Sequence, residues 1–440
     1  MLRSEAHQPP MQQFTGLLGV LAILAIGYAL STNRRAIRWR TIIAGLLLEG
    51  VVALLFLRFP PVVLVFDGLA TIVTKVVSFA EDGTRFIFGN ATDASAAWGF
   101  IFAIKVLPII IFFAALMAVL YHIGVMQRII AVFARVLQHT LGITGIEAMS
   151  TAANVFVGQT EAPLTIKPFI ARLTQSQLMC IMVGGFATIA GSVMGAYIVM
   201  VGGDDEAMRI EVAKHFMAAS VMSSAAAIVL SKLMCPETET PPDESIEALR
   251  EMPSSATNVM DAAAEGATDG LKLALNVAAM LIAFVSILAL LNWPLTALSE
   301  VDTWWLPIAS IRAEIGLPIL SFQNILGLLL QPLAWLMGAG ADARTLGTLM
   351  GESIVATEFV AYFHLSNLIA DGEISKRSST IAIYTLCGFA NLPSIAIQIG
   401  GLGALAPSRR GDIAKLGFRA MLAGALACWM TGAIAGVVVG

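Results

Sequence analysis

The chain has 440 residues, 58% of them hydrophobic and 13% charged, with a net charge of -4. A water-facing domain uses about 25% charged residues, so a soluble globular protein is excluded and a polytopic membrane protein is implied. No basic stripe points to nucleic acid, and in a bilayer the position of each charge matters more than the sum.

The chain opens with Arg3 and Glu5 ahead of an apolar run at 14–31. No small-residue cleavage site follows that run before an arginine cluster, so a retained helix is expected rather than a cleaved leader. Runs at 41–57 and 98–122 suit two further spans. Between them Asp67, Lys75, Glu81, Asp82 and Arg85 interrupt 62–90, which predicts a helix lying in the interface. Further spans are expected at 176–201, 208–234, 270–292, 376–401 and 413–438, eight in all. Residues 145–175 and about 320–366 are apolar but broken by Gly, Pro and carboxylates. Such segments lie at membrane depth only where protein or a water-filled cavity satisfies their backbone, so both are read as re-entrant hairpins. The fold class is therefore an all-α polytopic membrane protein with eight transmembrane helices, two opposed hairpins and an interfacial helix.

Arg34, Arg35, Arg38 and Arg40 follow the first span, and Arg409, Arg410, Lys415 and Arg419 follow the seventh. Positive charge marks cytoplasmic loops. This orientation puts both termini outside, together with GGDDE (202–206), and the acidic linker 236–255 inside. Cys180, Cys235, Cys387 and Cys428 lie in or beside apolar runs without metal spacing and read as packing residues. His7, His122, His139, His215 and His364 show no metal spacing either; His364 is kept as a proton-linked candidate. Glu49 and Lys105 fall within spans and are expected to be structural, as a buried pair or a snorkelling lysine.

A weak repeat organises the rest. NVFVGQTEAPL (154–164) and ESIVATEFVAY (352–362) each place a Thr-Glu pair in an interrupted segment, and GFATIAGS (185–192) and GFANLPS (388–394) follow in the same order. The offsets of 197 residues for Thr-Glu and 203 for Gly-Phe-Ala describe two halves that diverged by a short insertion. Each half reads as a hairpin with a carboxylate near its tip followed by an interrupted span, an arrangement that points to a transporter site near the midplane. Pro393 removes an amide donor in the second span, and Gly191 and Ser192 permit a similar break in the first. Glu161 and Glu358 are functional candidates because a carboxylate at membrane depth is costly. Gln159, Thr160, Asn391 and Ser394 supply neutral donors and acceptors, and Phe389 an apolar face. The mixture suits a small polar solute with a planar part.

These motifs, with CGFANLPSIAIQIGGLGALAP (387–407), resemble the concentrative nucleoside transporter family over essentially the whole chain from Gly19, in its bacterial eight-span form. The resemblance implies a homotrimer whose protomers each pair a scaffold with a mobile transport domain. It implies base contacts at Gly158, Gln159, Thr160 and Glu161, ribose contacts at Glu358, Asn391 and Ser394, and apolar contacts at Phe389, Val193 and Leu273. It implies a coupling sodium at Asn154, Val157, Thr188 and Ile189, and no other cofactor. Thr357 and Thr188 depart from the Asn and Ser common in sodium-coupled members; Thr188 keeps a hydroxyl, which with Asn154 favours sodium over the proton coupling also found in the family. The expected organisation is N-terminal spans and scaffold at 1–144, a first repeat at 145–235, an acidic linker at 236–257, and the sixth span with the second repeat at 258–440. The expected activity is nucleoside import across a bacterial inner membrane, in contact with lipid. An intramembrane enzyme using Glu161 and Glu358 as acid and base lacks an accompanying nucleophile or metal motif, and a channel predicts no uphill accumulation.

Overall fold

The computed structural model describes residues 11–93, 98–247, 256–303, 306–315 and 317–439. Arg3, Glu5 and His7 lie outside the described residues, as does the end of the acidic linker. The first span forms α1 (Met11–Ala29), and the second α2 (Trp39–Arg58). The segment expected to lie in the interface is one unbroken helix, α3 (Pro60–Phe88), and by length and composition it is apolar enough to cross a bilayer. Its partners show how it lies. Asp67 pairs with Lys214 at 2.8 Å and Glu81 with Arg209 at 2.9 Å. At 1.5 Å per residue those carboxylates are about 21 Å apart along α3, whereas their partners are only about 7.5 Å apart along their own helix. The two helices therefore cross obliquely.

The third span bends at Val106, between α4 (Phe102–Lys105) and α5 (Leu107–His122). A helix not anticipated from the sequence follows, α6 (Val125–Leu141). Met126, Ile130, Ala134, Leu137 and Leu141 form its buried stripe, and Gly124 and Gly142 bound it at φ +80° and +63°. Those positive angles favour glycine. The first hairpin has α7 (Gly145–Asn154) as its inward arm. Its return arm, Ala162–Arg172, is 3-10 helix, with Pro163 and Pro168 each lacking the amide that a regular helix needs.

Both interrupted spans are broken as expected. The first divides into α8 (Gln175–Ala187) and α9 (Gly191–Gly202), and α10 (Glu206–Met234) follows. The sixth span, α11 (Val259–Ser299), starts eleven residues before the expected boundary, its Asn258 side chain capping the amide of Asp261. Asp261, Glu265 and Asp269 had concealed that start, because hydropathy registers charge rather than helix. A two-residue antiparallel ladder, Asp302–Thr303 with Leu306–Pro307, precedes the short α12 (Ile308–Glu314).

The segment expected as a hairpin at 320–366 holds three helices instead: α13 (Phe322–Ala334), α14 (Ala343–Val355) and α15 (Glu358–Ala370). The Thr-Glu tip lies between α14 and α15, so the second hairpin spans 343–370, and α13 packs along α14. Glycines permit that approach: a Cβ on Gly347 would meet the Gly327 carbonyl oxygen at 2.6 Å, and one on Gly351 the Gln323 oxygen at 2.9 Å. The second broken span comprises α16 (Lys376–Thr385) and α17 (Leu392–Leu405), and α18 (Arg410–Val438) ends the chain.

Loop contacts sort the ends. The Thr32 amide donates to the Met234 carbonyl at 3.0 Å, the Ser176 hydroxyl to the Cys235 carbonyl at 2.7 Å, and Arg409 to the Leu173 carbonyl at 2.5 Å. Both arginine loops thus share one end. Asp204, from GGDDE, meets Lys105 at 3.3 Å at the other. Lys105 and Glu49 are not paired with each other: Glu49 is wholly buried on α2 and accepts the Thr431 hydroxyl at 2.8 Å. All four cysteines are free and buried.

The two broken spans touch at Gly388. A Cβ there would lie 2.5 Å from Cys428 Sγ and 2.7 Å from the Phe186 carbonyl oxygen. Gly388→Ala should therefore destabilise the protein by about 1–3 kcal/mol, the usual cost of overpacking. A lower melting temperature in detergent, without added nucleoside, is the expected reading; an unchanged one would show that the contact yields.

Candidate functional site

Each break exposes backbone and places polar side chains at its edge. In the first, α8 stops at Ala187, and Thr188 and Ala190 are extended (φ -123° and -69°) before α9 begins. In the second, Asn391 caps α17, its Oδ1 accepting the Ser394 amide at 2.9 Å. Pro393 sits in the first turn of α17, where its missing amide would have no intrahelical partner. It starts a half-helix rather than damaging a continuous one.

The tip of the second hairpin enters this region with Glu358, 2% exposed, as the first residue of α15. Its Oε1 accepts the Tyr197 hydroxyl at 2.8 Å and its Oε2 the Asn391 amide Nδ2 at 2.7 Å. The Oγ1 of Thr357 beside it is buried without a partner. The first hairpin enters from the opposite side. Gln159 is buried, and its Oε1 accepts Nε2 of Gln398 at 3.0 Å; the same nitrogen donates to the Met182 carbonyl at 2.9 Å. Thr160 and Glu161 are exposed at this tip, and the Gly158 carbonyl accepts the amides of Glu161 and Ala162 at 3.0 Å each. A Cβ on Gly401 of α17 would lie 3.3 Å from Thr160, and one on Gly158 would lie 3.5 Å from Ala190. The glycines let the tip lie against both breaks.

Val193 is buried on α9, one turn before Tyr197, and Phe389 is half-buried in the second break. Leu273 stands apart on α11, whose neighbouring turn at Gly270 packs against Ile111 and Ala114 of α5. His364 instead meets Glu352 at 3.0 Å across the second hairpin, and so braces its two arms.

A separate group of oxygens lies between α7 and the first break. Asn154 donates from Nδ2 to the Ser150 carbonyl at 3.0 Å, which leaves its Oδ1 buried and unpartnered. The hydroxyls of Ser150 and Thr151 are also buried without acceptors. Thr188 donates its hydroxyl to the Gly184 carbonyl at 2.8 Å, keeping the oxygen's lone pairs available. A Cβ on Gly184 would lie 3.4 Å from Asn154 Nδ2 and 3.6 Å from Thr151 Oγ1. Val157 and Ile189 are buried alongside. Buried acceptors left over in this way fit a hard cation, which unwound backbone and half-helix ends bind in transporters. Among the described residues no cluster of three or more His, Cys, Asp or Glu side chains could hold a metal.

The base of the first hairpin is fixed by charge. Glu147 closes a capping box with Thr144 and forms a buried ion pair with Lys232 of α10, which also donates to Ser176 at 2.9 Å. The acidic linker adds two anions: Asp243 accepts the Gly145 amide at 2.7 Å and Glu237 the Thr174 hydroxyl at 2.7 Å.

Comparison with known proteins decides the family. A profile described as the Na+ dependent nucleoside transporter C-terminus matches residues 215–436, its N-terminal counterpart matches 18–91, and one for nucleoside recognition matches 103–204. The chain belongs to the sodium-dependent nucleoside transporter family. It is 42% identical to an uncharacterized transporter of Haemophilus influenzae, over 98% of this chain and 99% of that protein. It is 37% identical to the sodium/nucleoside cotransporter 1 of Mus musculus, over 97% of this chain and 64% of the relative. The structure of CNTnw in an inward-facing substrate-bound state superposes with a TM-score of 0.84 at 38% identity, covering 97% of each chain. A doubly substituted CNTnw in an outward-facing state gives 0.86 at 38% identity, covering 98% of this chain and 99% of that one. This protein is a transporter and not an enzyme, and the two states of the relative support alternating access.

Tyr197 and Gln398 are absent from the sequence-derived set. An aromatic in an apolar helix reads as core; a lone amide in IAIQIGG was visible but named no partner. Asn391 both caps α17 and donates to Glu358. Asn391→Ala should lower the melting temperature of the nucleoside-free transporter by the equivalent of about 1 kcal/mol or more. Asn391→Asp keeps the cap but faces Glu358 with a second carboxylate, and a larger loss is expected. Equal stability of both variants with the parent would remove Asn391 from this network.

Proposed function

We propose that this transporter imports nucleosides by binding them between the two hairpin tips, with a sodium ion ordering the first. The observation that carries the assignment is the buried Glu358, held by Asn391 at membrane depth and opposite the polar tip bearing Gln159, Thr160 and Glu161. A carboxylate there accepts hydrogen bonds from sugar hydroxyls, while Asn391 and Ser394 supply the neighbouring polar groups. Gly158, Gln159, Thr160 and Glu161 address the base edge, and Phe389 and Val193, with Leu273 from α11, the apolar faces of the ring. Asn154 and Thr188 would hold sodium with side-chain oxygens, and Val157 and Ile189 with backbone carbonyls. The unpartnered Asn154 Oδ1 supports the ion's place there.

The ion site adjoins the nucleoside tip through residues 154–161, so ordering one raises affinity at the other, and the coupling is reciprocal. The same reading makes the chain a homotrimer in a bacterial inner membrane, surrounded by lipid, with both termini outside. No bond is broken in the cycle, and nucleoside should be recovered unchanged from loaded vesicles.

Radiolabelled nucleoside uptake into proteoliposomes should accumulate substrate uphill under an inward sodium gradient. Stimulation by a proton gradient instead would overturn sodium coupling, and mere equilibration would indicate a channel. Thr188→Val should raise the sodium concentration for half-maximal uptake about ten-fold, with KM for nucleoside at saturating sodium nearly unchanged. Glu358→Gln replaces a charged acceptor with a neutral amide and should weaken ribonucleoside binding about ten- to a hundred-fold. The affinity of 2′,3′-dideoxynucleosides, which lack those hydroxyls, should hardly change.

A further inference from the structure

The two half-helices that follow the breaks carry a matched pair of side chains. Counting from the residue that caps each half-helix, Tyr197 stands seven positions after Ala190 on α9, and Gln398 stands seven positions after Asn391 on α17. Both are buried, at 0% and 1% exposure. Each reaches the hairpin of the opposite repeat: Tyr197 donates to Glu358 of the second hairpin, and Gln398 donates to Gln159 of the first. The same packing recurs in both halves, with α9 against α15 and α17 against the return arm of the first hairpin.

We propose that Tyr197 and Gln398 are equivalent positioning residues of the inverted repeat, Tyr197 setting the sugar half of the nucleoside site and Gln398 the base half. The inference rests on the assignment of Glu358 to the sugar and Gln159 to the base.

The chemistry of each contact fixes what it does. Tyr197 has a single hydroxyl proton and spends it on Glu358 Oε1, while Asn391 spends an amide proton on Oε2. The carboxylate is thereby held from two elements, one in each repeat, with lone pairs remaining for sugar hydroxyls. Gln398 works through polarity. A backbone carbonyl only accepts, so the Met182 carbonyl obliges Gln398 to present its Nε2. That nitrogen then meets an acceptor on Gln159, namely Oε1. The amide of Gln159 is turned so that its own Nε2, a donor, is left for the ligand. Gln398 thus selects bases that offer an acceptor at the Gln159 position. Gly185 makes room for the pair, since a Cβ there would lie 2.8 Å from both Gln159 Cβ and Gln398 Nε2.

The test uses the full-length transporter in proteoliposomes, with uridine, adenosine and their 2′,3′-dideoxy counterparts as substrates. Tyr197→Phe should raise KM for the ribonucleosides about ten-fold, as expected for a lost hydrogen bond to a charged group. The dideoxy compounds should stay within about two-fold of the parent. Gln398→Met should raise KM for ribo- and dideoxynucleosides by a common factor, and it should add nothing further in a Gln159→Met background. A merely structural role would shift both substrate classes in Tyr197→Phe, and would make Gln398→Met additive with Gln159→Met; either result overturns the proposal. Retained dideoxynucleoside uptake shows that Tyr197→Phe is folded. For position 398, Gln398→Glu is the second variant: it keeps the length and loses the amide donor, and parental selectivity in it would overturn the role of Gln398. Glu358→Gln is run alongside. If it leaves the ribo-to-dideoxy ratio unchanged, the site assignment falls and this inference with it. If it shifts the ratio and Tyr197→Phe does not, only the positioning role falls.

Discussion

A helix interrupted within a bilayer leaves amides and carbonyls that lipid cannot satisfy, each at a cost of several kcal/mol. The fold is arranged around that debt at residues 188–190 and 386–391. The hairpins that enter from either side are the means of settlement: the Gly191 amide donates to the Phe156 carbonyl at 2.9 Å, at the first tip, and Asn391 caps the second half-helix with its own side chain. The polar groups that remain, on Glu358, Gln159 and Asn154, are those with capacity to spare for a passing solute and ion. Binding capacity here is what is left after the backbone has been satisfied.

The rigidity of this arrangement comes from its edges. Glu147 and Lys232 form a buried pair at the base of the first hairpin, with Ser176 completing the lysine's contacts. Breaking such a pair by removing one partner costs far more than the pair contributes net, so its value lies in fixing where α7 begins relative to α10. The linker carboxylates at 237 and 243 extend the same anchoring to the starts of α8 and α7, where negative charge complements helix N-termini. In the second hairpin His364 and Glu352 tie the two arms part-way between base and tip. The first tip is therefore positioned from its base, and the second by a brace along its arms.

Much of this was legible in the sequence because polar and glycine residues are expensive at membrane depth and so mark a purpose. The two breaks, the first hairpin, and Glu358 and Asn391 as polar candidates were marked that way, whereas the joining of Asn154 with Thr188 came from the family resemblance. The failures share a cause. Hydropathy separated neither α13 from the second hairpin nor α6 from a loop, since a short apolar helix packed on a neighbour has the composition of either. It set the start of α11 too late because charged residues on an exposed face lower hydropathy without ending a helix. Tyr197 was hidden by its apolar ring, and only its hydroxyl, which no periodicity reveals, makes it part of the site. Leu273 was carried by resemblance alone, and its helix proves to pack mainly on α5.

The contact at Gly388, where one broken span rests on the backbone of the other, bears on how such a protein could have arisen. Each repeat holds a hairpin and a broken helix, yet Gln398 finds its acceptor and Tyr197 its carboxylate only in the other repeat. A chain carrying one repeat would bury the Gln398 amide without its acceptors or the Tyr197 hydroxyl without its carboxylate, and would have nothing to seal the face that Gly388 now closes. A half-length ancestor could therefore persist only as two copies inserted in opposite senses. Fusion would have made permanent a partnership that the physics of the bilayer already required.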